Sequence, residues 1–522
     1  MKKSGKRKLK WTSNVPNKKV KKAFCATLEF NMSKKIFVES TFIRALPGFS
    51  IVGMANQSIQ ESKDRIKSSL LSIGFKFPAQ KITVNLSPSD IKKEGSHFDL
   101  VIALLIAFQN SDISCRDFFI FGELGLDGKV KSTSAIFPLL LSLVRQYETL
   151  NVLLPRNMME KASQIKGLKI YGVEALHEAI EFFAKKQYEA PYVPMKVREF
   201  FDEKLTIQGK EYFYDEPKVL DFKEVHGHRF LKRALVICAA GMHNILLEGS
   251  PGSGKSMSIK RLRDILPPVT IEEVLETQAY NAINYEDDKL SAKRAFRSPH
   301  HSSSKPSIFG GGSSRAMAGE AALAHNGILF FDELPHFSKQ ILESLREPLE
   351  NHKVLISRVN NKIEYDTKFL FAAAQNPCPC GNLLSKVREC RCSDLEVARY
   401  KSRISDPILD RIDLYIQVDE EFSKEETESS REMFEKVLRA FVFQKNRGQI
   451  TLNAHLDEQE IKCYCKLSDK AQETLNMAIS RYGLNQRSVS KVLKISRTIA
   501  DIEEEEMIKR KHLLEALSFR KR

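Results

Sequence analysis

Asn244-Ile245-Leu246-Leu247-Glu248 runs directly into Gly249-Ser250-Pro251-Gly252-Ser253-Gly254-Lys255-Ser256, and an apolar-periodic segment from Met257 to residue 266 follows. A short apolar strand, a G-x-x-x-x-G-K-S loop and then a helix form the context of a nucleotide-binding P-loop, or Walker A element. Its glycines let the backbone curl so that successive N–H groups point at the β- and γ-phosphates. The helix N-terminus adds positive potential at the same place. In such a loop Lys255 neutralises phosphate charge and the Ser256 hydroxyl holds Mg²⁺. Residues 249–257 are therefore the expected cradle for ATP with Mg²⁺, on an α/β core.

Working outward, Gly327-Ile-Leu-Phe-Phe-Asp332-Glu333 is an apolar strand that ends in two carboxylates. That is the pattern of a Walker B element, in which Asp332 orients the Mg²⁺ shell and Glu333 activates the attacking water. Hydrolysis rather than binding alone rests on Glu333, because phosphoryl transfer needs an oriented water. A third apolar strand, 368–374, ends at Gln375-Asn376-Pro377, so Asn376 is a candidate sensor of the γ-phosphate; Asn-Pro is also an ordinary turn. Arg411, within Pro407-Ile-Leu-Asp-Arg-Ile-Asp-Leu414, is a candidate arginine finger for a neighbouring subunit's nucleotide, or else a surface ion pair. Cys378-Pro-Cys380 and Cys390-Arg-Cys392 are two C-x-C pairs on one loop. Four such thiolates can close a tetrahedral structural Zn²⁺ site; the alternative is free buried thiols. Cys463 and Cys465 fit packing better than ligation.

The rest of the chain sets the scale. At roughly 150 residues per domain, 522 residues suggest about three or four domains. Hydrophobic residues at 42% and charged residues at 28% describe a chain able to bury real cores. The longest apolar runs are about half of a bilayer span, so no membrane segment is expected. No apolar h-region follows the basic start, and nine cysteines are an odd count for a disulfide framework. A cytoplasmic protein is expected. Net charge is +16, and ten basic residues from Lys2 to Lys22 precede the first acid, which favours polyanionic partners such as nucleic acid. The boundaries read as a basic disordered tail over 1–20, a mixed α/β domain over 21–187 and a Pro-interrupted linker over 188–220. The ATPase core follows over 221–422, and a helical domain over 423–522.

Phe296-Arg-Ser-Pro-His300-His301, Gly310-Gly-Gly312, Gly319-Glu-Ala-Ala-Leu-Ala-His325 and Ile328-Leu-Phe-Phe-Asp-Glu-Leu-Pro335 resemble the central block of the ComM/YifB family, which are magnesium-chelatase-like AAA+ ATPases. So do Asn376-Pro-Cys-Pro-Cys-Gly381, Arg403-Ile-Ser405 and Arg497-Thr-Ile-Ala-Asp501. Pro47-Gly-Phe-Ser-Ile-Val-Gly53, Glu94-Gly-Ser-His-Phe-Asp-Leu100 and Gly122-Glu-Leu-Gly-Leu-Asp-Gly128 extend the match toward the N-terminus. The resemblance implies a Lon-protease-like (S5-type) N-terminal domain, a P-loop AAA+ core and a helical C-terminal magnesium-chelatase-like lid. It implies a homo-hexameric ring with nucleotide between subunits, and a motor that promotes branch migration of DNA in natural transformation, with recombination proteins as partners. Arg411 sits where the family places its finger, with Arg403 the runner-up, and Arg487 where the lid's sensor arginine reaches the nucleotide.

Two segments are candidates for DNA contact. One is the Gly- and basic-rich insertion 294–324; the other is a hairpin over 353–368, with Arg358 and Lys362 near its tip. Loops of this kind grip phosphates in a ring's channel with little sequence preference. The roles of His300 and His301 stay open. Two departures matter. Where Lon-like peptidases carry a Ser/Lys dyad, Ser96 has Phe137 in the lysine's place, and a serine without an activating partner is inert. Asp406 also replaces the glycine usual before Pro407. The expected function is a DNA-translocating ATPase. The alternatives are a magnesium-chelatase-type ATPase that remodels a partner protein, and an ATP-dependent Lon-type peptidase.

Overall fold

The computed structural model describes residues 20–29, 32–187, 201–216, 220–284, 290–311, 318–358, 361–419 and 428–520, and the chain divides into two units, Met1–Val193 and Pro194–Arg522. The basic tail expected over 1–20 falls, but for Val20, outside the described residues. Among the described residues no helix is long and apolar enough to cross a membrane.

The first unit is a seven-stranded sheet with helices and a small two-stranded sheet. In chain order it comprises β1 (Lys21–Glu29), β2 (Met32–Ile43), β3 (Gly48–Val52), α1 (Gln57–Ser72), β4 (Lys81–Ser87), α2 (Asp99–Ala107), β5 (Cys115–Ile120) and the short β6 (Glu123–Leu124) and β7 (Val130–Lys131). Then come α3 (Ile136–Val144), β8 (Leu150–Pro155), α4 (Met159–Ala162), β9 (Leu168–Val173) and α5 (Leu176–Ala184). β6 and β7 form the small sheet, and the seven-stranded one has the order β3-β4-β2-β1-β5-β8-β9. Its β2 pairs antiparallel with β1 and β4, and the other neighbours are parallel. The apolar run 98–108 forms α2, whose residues Asp99 to Ile106 are all buried. The one charge in it, Asp99, is met by Arg65 Nε at 2.8 Å.

The second unit opens with an antiparallel hairpin. The segment 188–220 does not read as a linker in its described part, because β10 (Glu203–Ile207) and β11 (Lys210–Tyr214) form an antiparallel hairpin. Gln208 and Gly209 at its tip both take positive φ, 48° and 77°, as a two-residue turn of this kind requires. The hairpin docks on the rest of the unit. The Phe213 N–H donates to Val269 O at 2.8 Å, and the Tyr212 ring meets Phe441 edge-on at 5.0 Å.

Beyond it run α6 (Arg229–Gly241), β12 (Ile245–Gly249), α7 (Lys255–Leu262), α8 (Ile271–Ile283), β13 (Phe296–Arg297), α9 (Lys305–Phe309), α10 (Glu320–Leu323) and β14 (Ile328–Phe331). Then follow α11 (Lys339–Ser344), α12 (Arg346–Asn351), β15 (Lys353–Arg358), β16 (Asn361–Asp366), β17 (Leu370–Gln375), α13 (Asp394–Lys401), α14 (Asp406–Leu409) and β18 (Leu414–Val418). The five-stranded sheet β13-β14-β17-β12-β18 is parallel throughout. Its central strands are buried along their whole length, which is why they read as unbroken apolar runs. Ligand sites in such sheets lie at the carboxyl ends of the strands, and here Walker A, Walker B and Asn376 all leave that edge. β17 lies between β12 and β14, so Asn376 emerges between the two Walker elements.

The C-terminal helices are α15 (Ser430–Asn446), α16 (Glu458–Tyr464), α17 (Asp469–Tyr482), α18 (Gln486–Ile502) and α19 (Arg510–Ser518). They pack on the sheet's core: Met433, Val437, Val492 and Ile495 lie in one cluster with Leu235, Leu247 and Ile259. Within them Arg497 and Asp501, both fully buried, pair at 3.0 Å. Arg447 and Asn453 also bond the Asp501 carboxylate, at 2.7 Å each. Cys465 is buried in a small apolar cluster, as packing requires, and Cys463 is exposed.

Candidate functional site

The nucleotide loop begins where β12 ends. Gly249 has no room for a side chain, since a Cβ there would lie 2.5 Å from Val418 O. Gly254, at φ 81°, turns the chain into α7, which starts with no side-chain cap. The first amides of α7 are thus free to face an anion. The Lys255 ammonium donates to Gly249 O at 2.7 Å and Ser250 O at 2.8 Å, so the loop holds its own lysine across its mouth. Burial pushes the Lys255 pKa down, with the Asp332 charge pulling it back up.

Across the loop, the Ser256 hydroxyl donates to Asp332 Oδ2 at 2.7 Å. Adjacent ligands of an octahedral ion with bonds of about 2.0–2.1 Å lie about 2.9 Å apart, so this hydroxyl–carboxylate pair fits Mg²⁺. The second Asp332 oxygen accepts the Glu333 N–H at 3.0 Å. Glu333 has a left-handed backbone, φ 53°, which turns its half-exposed side chain away from the strand. His301 Nδ1 lies 3.8 Å from Glu333 Oε2. The neighbouring His300 bonds Ser302 at 2.7 Å, and its ring lies tilted by 36° at 4.1 Å from that of His301. The sequence singled out this histidine pair without a role, and its position gives His301 one: it faces the carboxylate of Walker B.

Asn376 is half-buried at the end of β17, and Tyr400 hydrogen-bonds its backbone. Burial pushes the Tyr400 phenol up to about 12 against that bond. One link was missed by sequence reasoning. Gln375 Nε2 donates to the buried Glu248 Oε1 at 3.1 Å, and Lys401 approaches the same oxygen at 3.8 Å. This ties the strand of Walker A to the strand of Asn376. Sequence carries a faint signal for it, an acid and an amide at the carboxyl ends of two buried strands.

Arg411 and Arg487 are brought together elsewhere. Both donate to the Glu350 carboxylate, Arg411 to Oε2 and Arg487 to Oε1. Their hydrogen bonds hold that carboxyl below the usual range, Arg411 the more strongly. The Arg411 carbonyl accepts from Asn244 Nδ2 at 2.9 Å, next to the start of β12. Arg487 lines a cleft of about 350 Å³ with Leu246, Asp410 and Lys491. The two arginines therefore sit at the amino end of β12, a strand's length from this chain's own Gly249. Arg403, by contrast, donates to Pro335 O at 3.3 Å, beside the Walker B turn.

The four cysteines converge. Cys378, Cys380 and Cys390 have Sγ–Sγ distances of 3.4, 3.6 and 3.7 Å, and all four sulfurs lie within 4.8 Å of one another. The hairpin of β15 and β16 pairs Arg358 with Asn361, as its expected tip requires. Lys362 is exposed on it, while the Arg358 side chain lies outside the described residues. In the first unit the Ser96 hydroxyl bonds Glu123, and Phe137 is buried where a dyad lysine was sought.

Three family profiles match the chain in order. They are the subunit ChlI of Mg-chelatase over residues 38–158, magnesium chelatase subunit ChlI over 221–427, and its C-terminal region over 427–520. Competence protein ComM of Haemophilus influenzae is 37% identical over 499 residues, covering 93% of this chain and 94% of the relative. The uncharacterized YifB proteins of Salmonella typhimurium and Escherichia coli are 35% and 34% identical, each over 93% of this chain and 94% of their own length.

Proposed function

Because the chain belongs to the ComM/YifB family of magnesium-chelatase-like AAA+ ATPases, we propose that it is an ATP-driven motor that binds and moves along DNA. In this reading it promotes branch migration and strand integration in natural transformation and recombination. The observation that carries the ATPase step is the Ser256–Asp332 pair at 2.7 Å beside Glu333. Ser256 and Asp332 would hold Mg²⁺, which would supply charge neutralisation to the triphosphate when bound. Lys255 and the α7 amides bind the phosphates. Glu333 orients the attacking water, and Asn376 holds the γ-phosphate side of the site.

Arg411 and Arg487 act in trans. Their place at the amino end of β12 supports this, since they reach a triphosphate only when another copy presents its Walker A edge to them. A heterologous contact of that kind closes into a ring, in keeping with a homo-hexamer. The exposed Lys362 on the β15–β16 hairpin is the DNA contact, with Arg358 beside it. The first unit is a Lon-like domain without peptidase activity, as the Ser96–Glu123 pairing lacks the lysine base of that class. A structural Zn²⁺ on the four cysteines completes the site.

The test is ATP turnover by the purified full-length protein with and without single-stranded and branched DNA, with casein as a proteolysis control. Stimulation by DNA without casein cleavage is the expected result. Turnover indifferent to every DNA would replace this reading with a chelatase-type ATPase that remodels a partner protein.

A further inference from the structure

We propose that the cluster of Cys378, Cys380, Cys390 and Cys392 holds one tetrahedral zinc ion whose role is to brace the nucleotide loop, so that metal occupancy sets nucleotide affinity. The inference rests on the reading of residues 249–256 as that loop. Four sulfurs about 2.3 Å from one ion lie about 3.8 Å apart, and the three separations of 3.4–3.7 Å approach that value. The Cys380 N–H donates to Cys392 Sγ at 3.4 Å, an outer bond that orients a thiolate ligand.

The segment between β17 and α13 contains neither strand nor helix, and its apolar residues Leu383 and Val387 are 41% and 68% exposed. Burial of apolar surface therefore does little to order it. A metal crosslink supplies what the missing core does not, because ligand binding that fixes a loop is itself folding free energy.

What the ordered loop touches gives it a function. Gly381 takes a left-handed φ of 82°, and a Cβ on it would lie 2.6 Å from Pro251 Cγ and Cδ. The backbone of the cysteine loop thus lies directly against the Walker A turn. Cys378, fully buried, follows Asn376 by two residues, so the same crosslink fixes the sensor on the other side of the phosphates. Loss of the ion frees both walls of the site at once.

The experiment uses the full-length protein under reducing conditions. Elemental analysis is expected to give one zinc per chain, and a Cys390→Ser/Cys392→Ser variant none. A fluorescent ATP analogue should bind that variant at least about tenfold more weakly, since small misplacements of a binding wall carry large penalties. Gly381→Val is expected to keep its zinc and still lose affinity, which separates the brace from the metal. To exclude misfolding, zinc is stripped from the native protein with an organomercurial and a chelator, then restored. Affinity should fall and recover. A native protein without zinc, or with its thiols in disulfides, overturns the site. Unchanged affinity after stripping overturns the brace. Failure of the underlying reading looks different: a Lys255→Ala variant would then bind nucleotide as well as the native chain.

Discussion

The Ser256 hydroxyl meets the Asp332 carboxylate across 2.7 Å, joining the first turn of α7 to the end of β14. Two oxygens at that spacing, one neutral and one charged, form about a third of an octahedral cation site before any phosphate is added. Asp332→Asn keeps the shape and removes the charge. It should weaken Mg²⁺-dependent nucleotide binding by about 10–100-fold while leaving the fold intact. Titration of Mg²⁺ against a fixed ATP analogue measures this, and an unshifted Mg²⁺ midpoint would take Asp332 out of the metal's shell.

Glu333 has a different task from its neighbour, and its backbone says so. A left-handed residue after a buried strand turns the side chain off the strand axis and leaves it half exposed. Glu333→Gln should retain ATP binding and lose about 10²–10⁴-fold in turnover, the usual worth of a positioned base. Single-turnover hydrolysis with preloaded ATP reads the chemical step directly. Hydrolysis at the native rate would move the base elsewhere.

The shared partner of Arg411 and Arg487 leads to a mixing experiment. If both arginines serve a neighbour's nucleotide, Lys255→Ala and Arg411→Ala are each inactive alone but complement when mixed. In a randomly mixed ring roughly a quarter of the interfaces pair an intact Walker A with an intact arginine, so a comparable share of turnover should return. No recovery from mixed, co-assembled chains would place Arg411 in cis or in a purely structural role.

The parts of this site that sequence revealed are those whose chemistry is local. A parallel strand buried on both faces must be an apolar run, and its polar exit residue marks a ligand edge, so Lys255, Asp332, Glu333 and Asn376 could be placed from sequence patterns alone. Partners chosen by the folded chain could not. Glu350 meets Arg411 and Arg487 across 61 and 137 positions, and Gln375 meets Glu248 across 127. Arg497 and Asp501 stood out as a motif resembling the family, yet they form a buried ion pair inside the C-terminal helices. The hairpin of β10 and β11 was hidden by the prolines that flank it in sequence, Pro194 and Pro217, and by its charges. Its signal was Gln208-Gly209 between two alternating runs.

His455 gives the second unit a predictable sensitivity to acid. The residue is half-buried, its Nδ1 is shielded from water without a hydrogen-bond partner, and the His352 ring lies edge-on at 4.7 Å. Burial above all pushes its pKa down to about 3, helped by His352, Lys494 and Lys368 and opposed by Asp413. In the unfolded chain the same imidazole titrates near its ordinary value of about 6.5. Above that pH it is neutral in both states and has no effect. Between about 6.5 and 3 the unfolded state takes up a proton that the folded state refuses, so stability falls as the pH drops. At pH 5 the loss from this one group amounts to about 2 kcal/mol. His455→Phe removes the proton-binding site and the unpartnered nitrogen together. The gap between urea midpoints at pH 7 and pH 5, followed by pulse proteolysis of the 194–522 unit, should therefore narrow by a corresponding amount. Equal gaps in the variant and the native protein would mean that His455 is protonated in place, with Asp413 near enough to pay for its charge.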